Sequence, residues 1–190
     1  KRKGTMITFR ELIDEVGADA ARYTLVSRSS NQTIDFDIEK VKEKTADNPV
    51  FYVQYAHARI CSILRKAAGV TPEQADLMGM ENVAIKAIYG DVDYSLLTDP
   101  TELALSRKLS ELQDLIAGAA RDRAPFRITH YVEELASAFH SFYAACRVLP
   151  SEGRPVEPAV VRARLGACDA VRSVIALCLS LIGVSAPTQM

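Results

Sequence analysis

The sequence predicts an all-α protein, a helical bundle, and three observations support this fold class. Apolar residues recur at three- and four-residue steps through segments 47–66, 129–149 and 161–182, which is the spacing of one face of a helix. Helix-start signals of the capping-box type occur at Thr8-Phe9-Arg10-Glu11 and Asp99-Pro100-Thr101-Glu102. Alternation of polar and apolar residues is brief and confined to residues 31–37, which suits a turn and a short extended segment better than a sheet strand.

Composition limits the classes of function. The 190 residues are 48% hydrophobic and carry a formal net charge of -1, so the chain can bury a core but has no global basic field. Any contact with RNA must therefore come from local patches. The most apolar run, residues 173–184, is preceded by Asp169 and Arg172 and is too short to span a bilayer. The three histidines lie far apart in the sequence and indicate no catalytic constellation.

The cysteines predict neither a disulfide framework nor a metal site. Cys61, Cys146, Cys168 and Cys178 lie in helical patterns, without CxxC spacing and without a clustered histidine. We therefore expect reduced, mostly buried thiols in a cytoplasmic protein, and no bound metal.

The first 46 residues predict short helices. The capping box at Thr8 opens a helix that should end at Gly17, and Asp19 is expected to cap the next helix, which runs to about Ser29. A short charged helix over residues 38–46 follows. Taken alone, the basic start KRKGT is a charged loop.

A long helix is predicted over residues 47–66, with Asn48 as its cap and Pro49 in its first turn. Its apolar stripe contains Val53, Ala56 (or His57), Ile60 and Leu64. Tyr52, Tyr55 and Arg59 follow the same spacing beside that stripe. Two phenols and a guanidinium on one helix edge can stack on unpaired bases and hold a phosphate. Alternatively, both tyrosines are half-buried at a helix–helix contact.

The helix over residues 129–149 repeats this arrangement. Its apolar stripe contains Ile128, Val132, Leu135, Phe139, Phe142, Cys146 and Leu149. His140, Tyr143 and Arg147 lie beside the stripe at three- and four-residue steps. Between the two long helices, residues 69–98 are the least regular part of the chain, with one short helical pattern at residues 81–88; a loop of this length is usually functional or mobile.

Two further segments complete the bundle. After the Asp99 capping box, an apolar stripe continues through Leu105, Leu109, Leu112 and Ile116. Arginines at 121, 123 and 127 surround a break at Pro125 and are either solvated or form a phosphate patch. In the last helix, Arg172 should lie at the edge of the stripe and pair with Asp169 on the helix surface, while Ile175 should be core.

Several of these strings resemble one family. YVQYAHARICSIL and FHSFYAACRVL are similar to helices of the anticodon-binding domain of arginyl-tRNA synthetases. Asp169-Ala170-Val171-Arg172 resembles the DALR tetrad that names this domain, with Val in place of Leu. The ending PTQM resembles the Pro-x-x-Met at which the family commonly stops. The resemblance covers nearly the whole chain.

The resemblance implies two parts and a set of site residues. Residues 1–46 would be the end of the catalytic domain, with Lys1 and Arg2 as the remnant of the KMSKR loop that neutralises ATP phosphates, and residues 47–190 would be the anticodon-binding bundle. The implied anticodon-binding residues are Tyr52, Tyr55, Arg59, Tyr143, Arg147 and Met190.

The implied longer protein joins arginine to its tRNA, using ATP with Mg, as a cytoplasmic monomer. This chain lacks the nucleotide fold, so it should bind the anticodon stem-loop without catalysing the reaction and without a cofactor. Two alternatives stay open. One is a helical protein-interaction module whose aromatic edges receive a partner helix, and the other is the equivalent domain of a cysteinyl-tRNA synthetase.

Overall fold

The computed structural model describes residues 8–29, 31–34, 36–43, 45, 47–73 and 90–190. Within these ranges the chain forms α-helices and one 3₁₀ turn, Tyr94–Leu96, and contains no strand. The helices are α1 Phe9–Val16, α2 Ala18–Val26, α3 Ile38–Lys42, α4 Pro49–Ala68, α5 Pro100–Ser110, α6 Leu112–Asp122, α7 Phe126–Ala145 and α8 Pro158–Leu181. The all-α prediction is confirmed. Lys1, Arg2 and the short helix predicted at residues 81–88 lie outside the described residues.

The core lies where α4, α7 and α8 meet. Each of the three helices packs against the other two, and the predicted stripes face inward. The core side chains with no exposed area include Val53, Ile60, Leu64, Val132, Leu135, Phe139, Phe142, Cys168, Val171 and Ile175. Burial of each large apolar side chain contributes about 1.5–3 kcal/mol, so the helix packing is stabilised mainly by these stripes.

Both predicted capping boxes form. In the first, the backbone N–H of Glu11 donates to the Thr8 hydroxyl at 3.2 Å, and the Glu11 carboxylate accepts from the Thr8 backbone N–H at 2.7 Å. In the second, Asp99 and Glu102 make the same reciprocal pair at the start of α5. Each box satisfies backbone N–H groups that have no partner inside the helix.

The prediction that Asn48 caps α4 with its side chain is wrong. Asn48 occupies the N-cap position, but its side chain accepts no capping hydrogen bond. Instead the Asn48 amide donates to the carbonyl oxygens of Val41 at 2.9 Å and Glu43 at 2.8 Å. The Asn48 amide therefore bonds to the end of α3 and to the residue after it, and not to the first turn of α4 as the sequence predicts.

Asp19 is also not a cap. Gly17, with φ 85°, precedes α2, and Asp19 lies inside its first turn, where a carboxylate interacts favourably with the helix dipole. Its carboxylate accepts from the backbone N–H of Ser185 at 3.2 Å and from Nε2 of Gln54 at 3.0 Å. Asp19 thus connects α2 with α4 and the C-terminal tail.

Several helix ends differ from their predicted positions. α4 runs to Ala68 rather than to residue 66, and α7 ends at Ala145 rather than at residue 149, because the backbone of Cys146 is extended. α2 ends at Val26, where the Ser27 hydroxyl donates to the Thr24 carbonyl and competes with further helix bonds. α3 ends at Lys42 rather than at residue 46, because the backbone of Glu43 is extended. The stripe of residues 105–116 crosses a helix break at Glu111, which ends α5 and precedes α6.

The Asp169–Arg172 pair forms, but its predicted place on the helix surface is wrong. The two residues are only 7% and 4% exposed. The reason is that α8 packs against α4, α5, α7 and the 3₁₀ turn, so several of its sides are covered. Ile175 is fully buried, as predicted. No helix among the described residues has the length and apolar character needed to cross a membrane.

Candidate nucleic-acid interface

The two aromatic edges predicted on separate helices form one surface. Because α4 packs beside α7, the His140 ring lies 5.0 Å from the Tyr52 ring and 6.1 Å from the Tyr55 ring, with an angle of 24° to the latter. Phe51 is stacked on Tyr55 from the preceding turn, at 6.3 Å and 13°. We call Phe51, Tyr52, Tyr55, His140 and Tyr143 the aromatic face.

Arg59 connects the two halves of the aromatic face. Its Nη1 donates to the Tyr55 hydroxyl at 2.8 Å. Its guanidinium carbon lies over the Tyr143 ring, 4.6 Å from the centroid, and 5.7 Å from the centroid of Tyr55. These are cation–π distances. The arginine therefore holds a tyrosine from α4 and one from α7 around a single positive charge.

The tyrosines differ in how much ring they leave open. Tyr55 is 39% exposed, whereas Tyr52 and Tyr143 are half-buried and pack against the core. The Tyr143 ring also contacts Phe139, at 5.9 Å and 28°. The alternative interpretation, in which Tyr52 and Tyr55 are both half-buried, thus describes Tyr52 but not Tyr55; Tyr143 is half-buried as well. Tyr55 is the tyrosine of the three with the most surface left for a planar ligand.

The His140 ring contacts the rings of both Tyr52 and Tyr55. Burial, and to a smaller extent the positive charge of Arg59, lower the pKa of His140. A neutral ring near pH 7 follows, and it stacks between aromatic neighbours without repelling Arg59. His140 was not among the predicted binding residues, although it lies three positions from Tyr143 on the same helix edge. Phe51 was also missed, although it lies four residues before Tyr55, at the helical spacing that could have found it.

An open groove of about 700 Å³ begins at the aromatic face and runs between α4 and the turn that follows α7. Its cationic lining residues are Arg59, Lys66, Arg147 and Arg154, and we call it the basic groove. Arg147 donates from Nη1 to the Ser151 hydroxyl at 2.5 Å. Neither Lys66 nor Arg154 was predicted. Lys66 continues the line of Tyr52, Tyr55 and Arg59 seven residues beyond Arg59, so the helical spacing could have found it. Arg154 lies in a turn, where no such spacing applies.

The C-terminal tail, residues 183–190, lies along α4. Nδ1 of His57 lies 2.9 Å from the Pro187 carbonyl oxygen and donates to it, and Nη2 of Arg65 donates to the Thr188 carbonyl at 2.9 Å. The tail ends at Met190, which is 56% exposed. Met190 shares a smaller cavity, of about 370 Å³, with Tyr55 and Arg59.

The structure therefore brings the six predicted binding residues to one side of the molecule. Tyr55 and Arg59 line both cavities; Tyr143 and Arg147 line the basic groove, and Met190 lines the smaller cavity. Tyr52 lies behind them, against His140. The two predicted catalytic residues, Lys1 and Arg2, lie outside the described residues.

The four cysteines lie buried in the interior, as thiols that are not joined in disulfides. Burial raises the pKa of the Cys168 and Cys178 thiols to about 12, which keeps them protonated and disfavours metal binding. The described residues contain no group of three or more His, Cys, Asp or Glu side chains that could hold a metal ion. The absence of metal stays a prediction.

Comparison with known proteins shows the family to which the sequence is similar. Residues 53–190 match the family described as the DALR anticodon binding domain. The whole chain is 46% identical to arginine–tRNA ligases of Frankia alni, of which it covers 32%, and of Symbiobacterium thermophilum, of which it covers 31%. The chain thus spans about a third of the length of these relatives.

A solved structure gives the same result for the fold. The chain matches the arginyl-tRNA synthetase of Thermus thermophilus with a TM-score of 0.69 and 26% identity, over all of this chain and 29% of that one. These matches confirm the resemblance found in the sequence. They also favour the arginine over the cysteine synthetases.

Proposed function

This chain belongs to the DALR anticodon-binding domain family, and from that premise we propose that it binds the anticodon stem-loop of an arginine tRNA as part of a longer arginine–tRNA ligase. The observation that carries the proposal is the exposed Tyr55 ring, stacked near His140 and hydrogen-bonded to Arg59. Unpaired bases stack on such rings, at about 1–3 kcal/mol per base. The neighbouring guanidinium supplies a charge for a phosphate.

Each predicted residue has a place in this proposal. Tyr55 stacks on a base, with Tyr52 and Tyr143 as the aromatic support on either helix, and Met190 closes the side of Tyr55 that faces the C-terminal tail. Arg59 and Arg147 lie next to the stacked bases and contact phosphates. The half-buried positions of Tyr52 and Tyr143 support a role in which they present Tyr55 and Arg59.

The proposed role within the longer protein is positioning. Residues 1–46 would be the end of a catalytic domain, with Lys1 and Arg2 from a loop that binds ATP phosphates, and residues 47–190 the tRNA-binding bundle. ATP, Mg and arginine would bind the missing part, so the chain alone needs no cofactor. Holding the anticodon stem-loop would place the acceptor end of the tRNA in that active site, which converts binding energy into specificity. The longer protein would act as a cytoplasmic monomer.

Binding to two transcripts tests the proposal. The purified chain should bind an arginine tRNA transcript more tightly than a noncognate transcript of equal length, at the same ionic strength. It should give no arginine-dependent exchange of pyrophosphate into ATP. Equal affinity for the two transcripts, or none for either, would overturn the proposal. The latter result would favour a helical interaction module.

A further inference from the structure

The basic groove concentrates positive charge in a chain whose formal net charge is -1. Of its described lining residues, Arg59, Lys66, Arg147 and Arg154 are cationic and none is acidic. The other lining groups include the Ser62 and Ser151 hydroxyls. A concave surface with one sign of charge focuses the field and attracts a polyanion.

Within the described ranges, no neighbouring side chain forms an ion pair with any of these four cations. By contrast, Arg164 pairs with Glu102 at 2.6 Å on the other side of the same turn. Lys66, Arg147 and Arg154 are exposed. With respect to the part of the chain that the structure describes, a ligand can therefore bind these charges without breaking a salt bridge.

The turn that carries two of the cations is held in place. Ser151 and Arg154 exchange two backbone hydrogen bonds, at 3.2 and 2.9 Å. Upstream, Nη1 of Arg164 donates to the Arg147 carbonyl at 2.8 Å, while Nε of the same side chain binds the buried Glu102 carboxylate. A turn fixed at both ends presents Arg147 and Arg154 with little ordering cost on binding.

The groove runs along α4 from the aromatic face, and this course indicates which part of a nucleic acid it can bind. Tyr55 lies at one end, and Lys66 is eleven residues further along α4, which is about 16 Å along the helix axis. We infer that the groove carries the sugar–phosphate backbone of the nucleotides that flank the stacked bases, with Lys66 and Arg154 as phosphate contacts. This inference rests on the proposed function. A basic groove that begins at an aromatic platform is a common arrangement for single-stranded nucleic acid.

Salt dependence of binding tests the inference. The affinity of the chain for an arginine tRNA transcript is measured between 50 and 200 mM salt for the unchanged chain, Lys66→Ala and Arg154→Ala. Each variant should reduce the slope of log K against log salt by about 0.7, the value for one single-stranded phosphate contact. At 0.1 M salt, a reduction of the slope by 0.7 corresponds to about a fivefold loss of affinity for each contact removed. The loss should be the same for cognate and noncognate transcripts, because a phosphate contact does not read the base.

Matched variants separate charge from structure. Lys66→Arg should keep the original slope. Arg107→Ala and Arg162→Ala, which remove exposed cations outside both cavities, should also leave it unchanged. If the unchanged chain binds tRNA but Lys66→Ala and Arg154→Ala keep its slope, the groove does not hold the backbone and only this inference fails. If the unchanged chain binds no tRNA, the proposed function fails with it.

Discussion

Arg172 donates two hydrogen bonds to one oxygen of Asp169, from Nε at 2.9 Å and from Nη2 at 2.8 Å, and both residues are buried. They form an ion pair one helical turn apart on the central helix α8. Desolvation of two charges offsets much of their attraction, so such a pair adds little net stability. Removal of one partner is nevertheless costly, because the other charge stays in a medium of low dielectric constant.

Asp169→Ala should therefore destabilise the domain strongly. We expect the free energy of unfolding to fall by about 3–5 kcal/mol, as when one partner of a buried pair is lost. Urea denaturation followed by circular dichroism measures this. Lys40→Ala is the control, since the Lys40–Asp37 pair is at 3.9 Å and its side chains are 80% and 50% exposed; the midpoint should hardly change. Similar midpoints for the two variants would contradict the assignment.

This pair also illustrates what the sequence could and could not predict. The three-residue spacing of Asp169 and Arg172 correctly indicates that they meet. Their burial depends on how many elements surround α8, and the periodicity of one helix does not contain that information. The same limit applies to Asn48 and Asp19, which the sequence predicts as caps. Each has a residue type suited to capping. The Asn48 amide, however, donates to the Glu43 carbonyl, which precedes the helix. The Asp19 carboxylate accepts from Ser185, which is distant in sequence.

The candidate site shows the same difference between a pattern on one helix, which the sequence predicts, and the packing between helices, which it does not. Tyr52, Tyr55 and Arg59 were predictable as one edge, and Tyr143 and Arg147 as another, because each set lies on one helix. That the edges meet through His140 depends on the packing of α4 against α7. Arg154 could not be predicted, because a turn has no periodicity from which its direction can be read.

Core packing is tested at two positions two residues apart on α8. Ile175 is fully buried, and Leu177 is 43% exposed. Ile175→Ala should lower the free energy of unfolding by about 2–5 kcal/mol, because it leaves a cavity that neighbouring helices fill only in part. Leu177→Ala should have a much smaller effect. Thermal denaturation of both variants gives the comparison, and equal melting midpoints would mean that the stripe is misassigned.

The thiols should be unreactive in the folded protein. Burial raises the pKa of Cys146, and that of Cys168 and Cys178 to about 12, so at pH 8 very little thiolate is present to react. Titration with an aromatic disulfide reagent should give slow reaction in buffer and four rapid equivalents in denaturant. Intact mass should match four reduced cysteines, and metal analysis should find no zinc. A stoichiometric metal or a mass deficit of a disulfide would contradict this.

Stability should decrease at mildly acidic pH. Burial and Arg59 lower the pKa of His140 in the folded state, so below about pH 6.5 the unfolded chain binds more protons at this residue than the folded one does. Well above that pH, protonation of His140 does not change the free energy of unfolding. As the pH falls, it lowers the free energy of unfolding, because the unfolded chain takes up the proton more readily. Urea midpoints between pH 7 and 5 should therefore fall less steeply for His140→Gln than for the unchanged chain. Equal profiles for His140→Gln and the unchanged chain would refute the prediction.

Tyr55 should affect RNA affinity much more than stability. Its ring is the most exposed tyrosine of the aromatic face, and a stacked base contributes about 1–3 kcal/mol. Tyr55→Ala should thus weaken binding of an arginine tRNA transcript by about ten- to a hundredfold, at 1.4 kcal/mol per decade. Tyr55→Phe keeps the ring and loses only the hydroxyl that accepts from Arg59, so it should retain most of the affinity.

The controls for Tyr55 decide between stacking and packing. Phe9 is a 61% exposed aromatic residue on α1, and Phe9→Ala should leave RNA affinity unchanged, which excludes a general effect of losing surface aromatic area. The unfolding midpoint of Tyr55→Ala should stay close to that of the unchanged chain, because the apolar stripe through Val53, Ile60 and Leu64 remains intact. If Tyr55→Ala instead unfolds the domain while the folded fraction binds RNA normally, Tyr55 packs the helix contact and does not stack on a base.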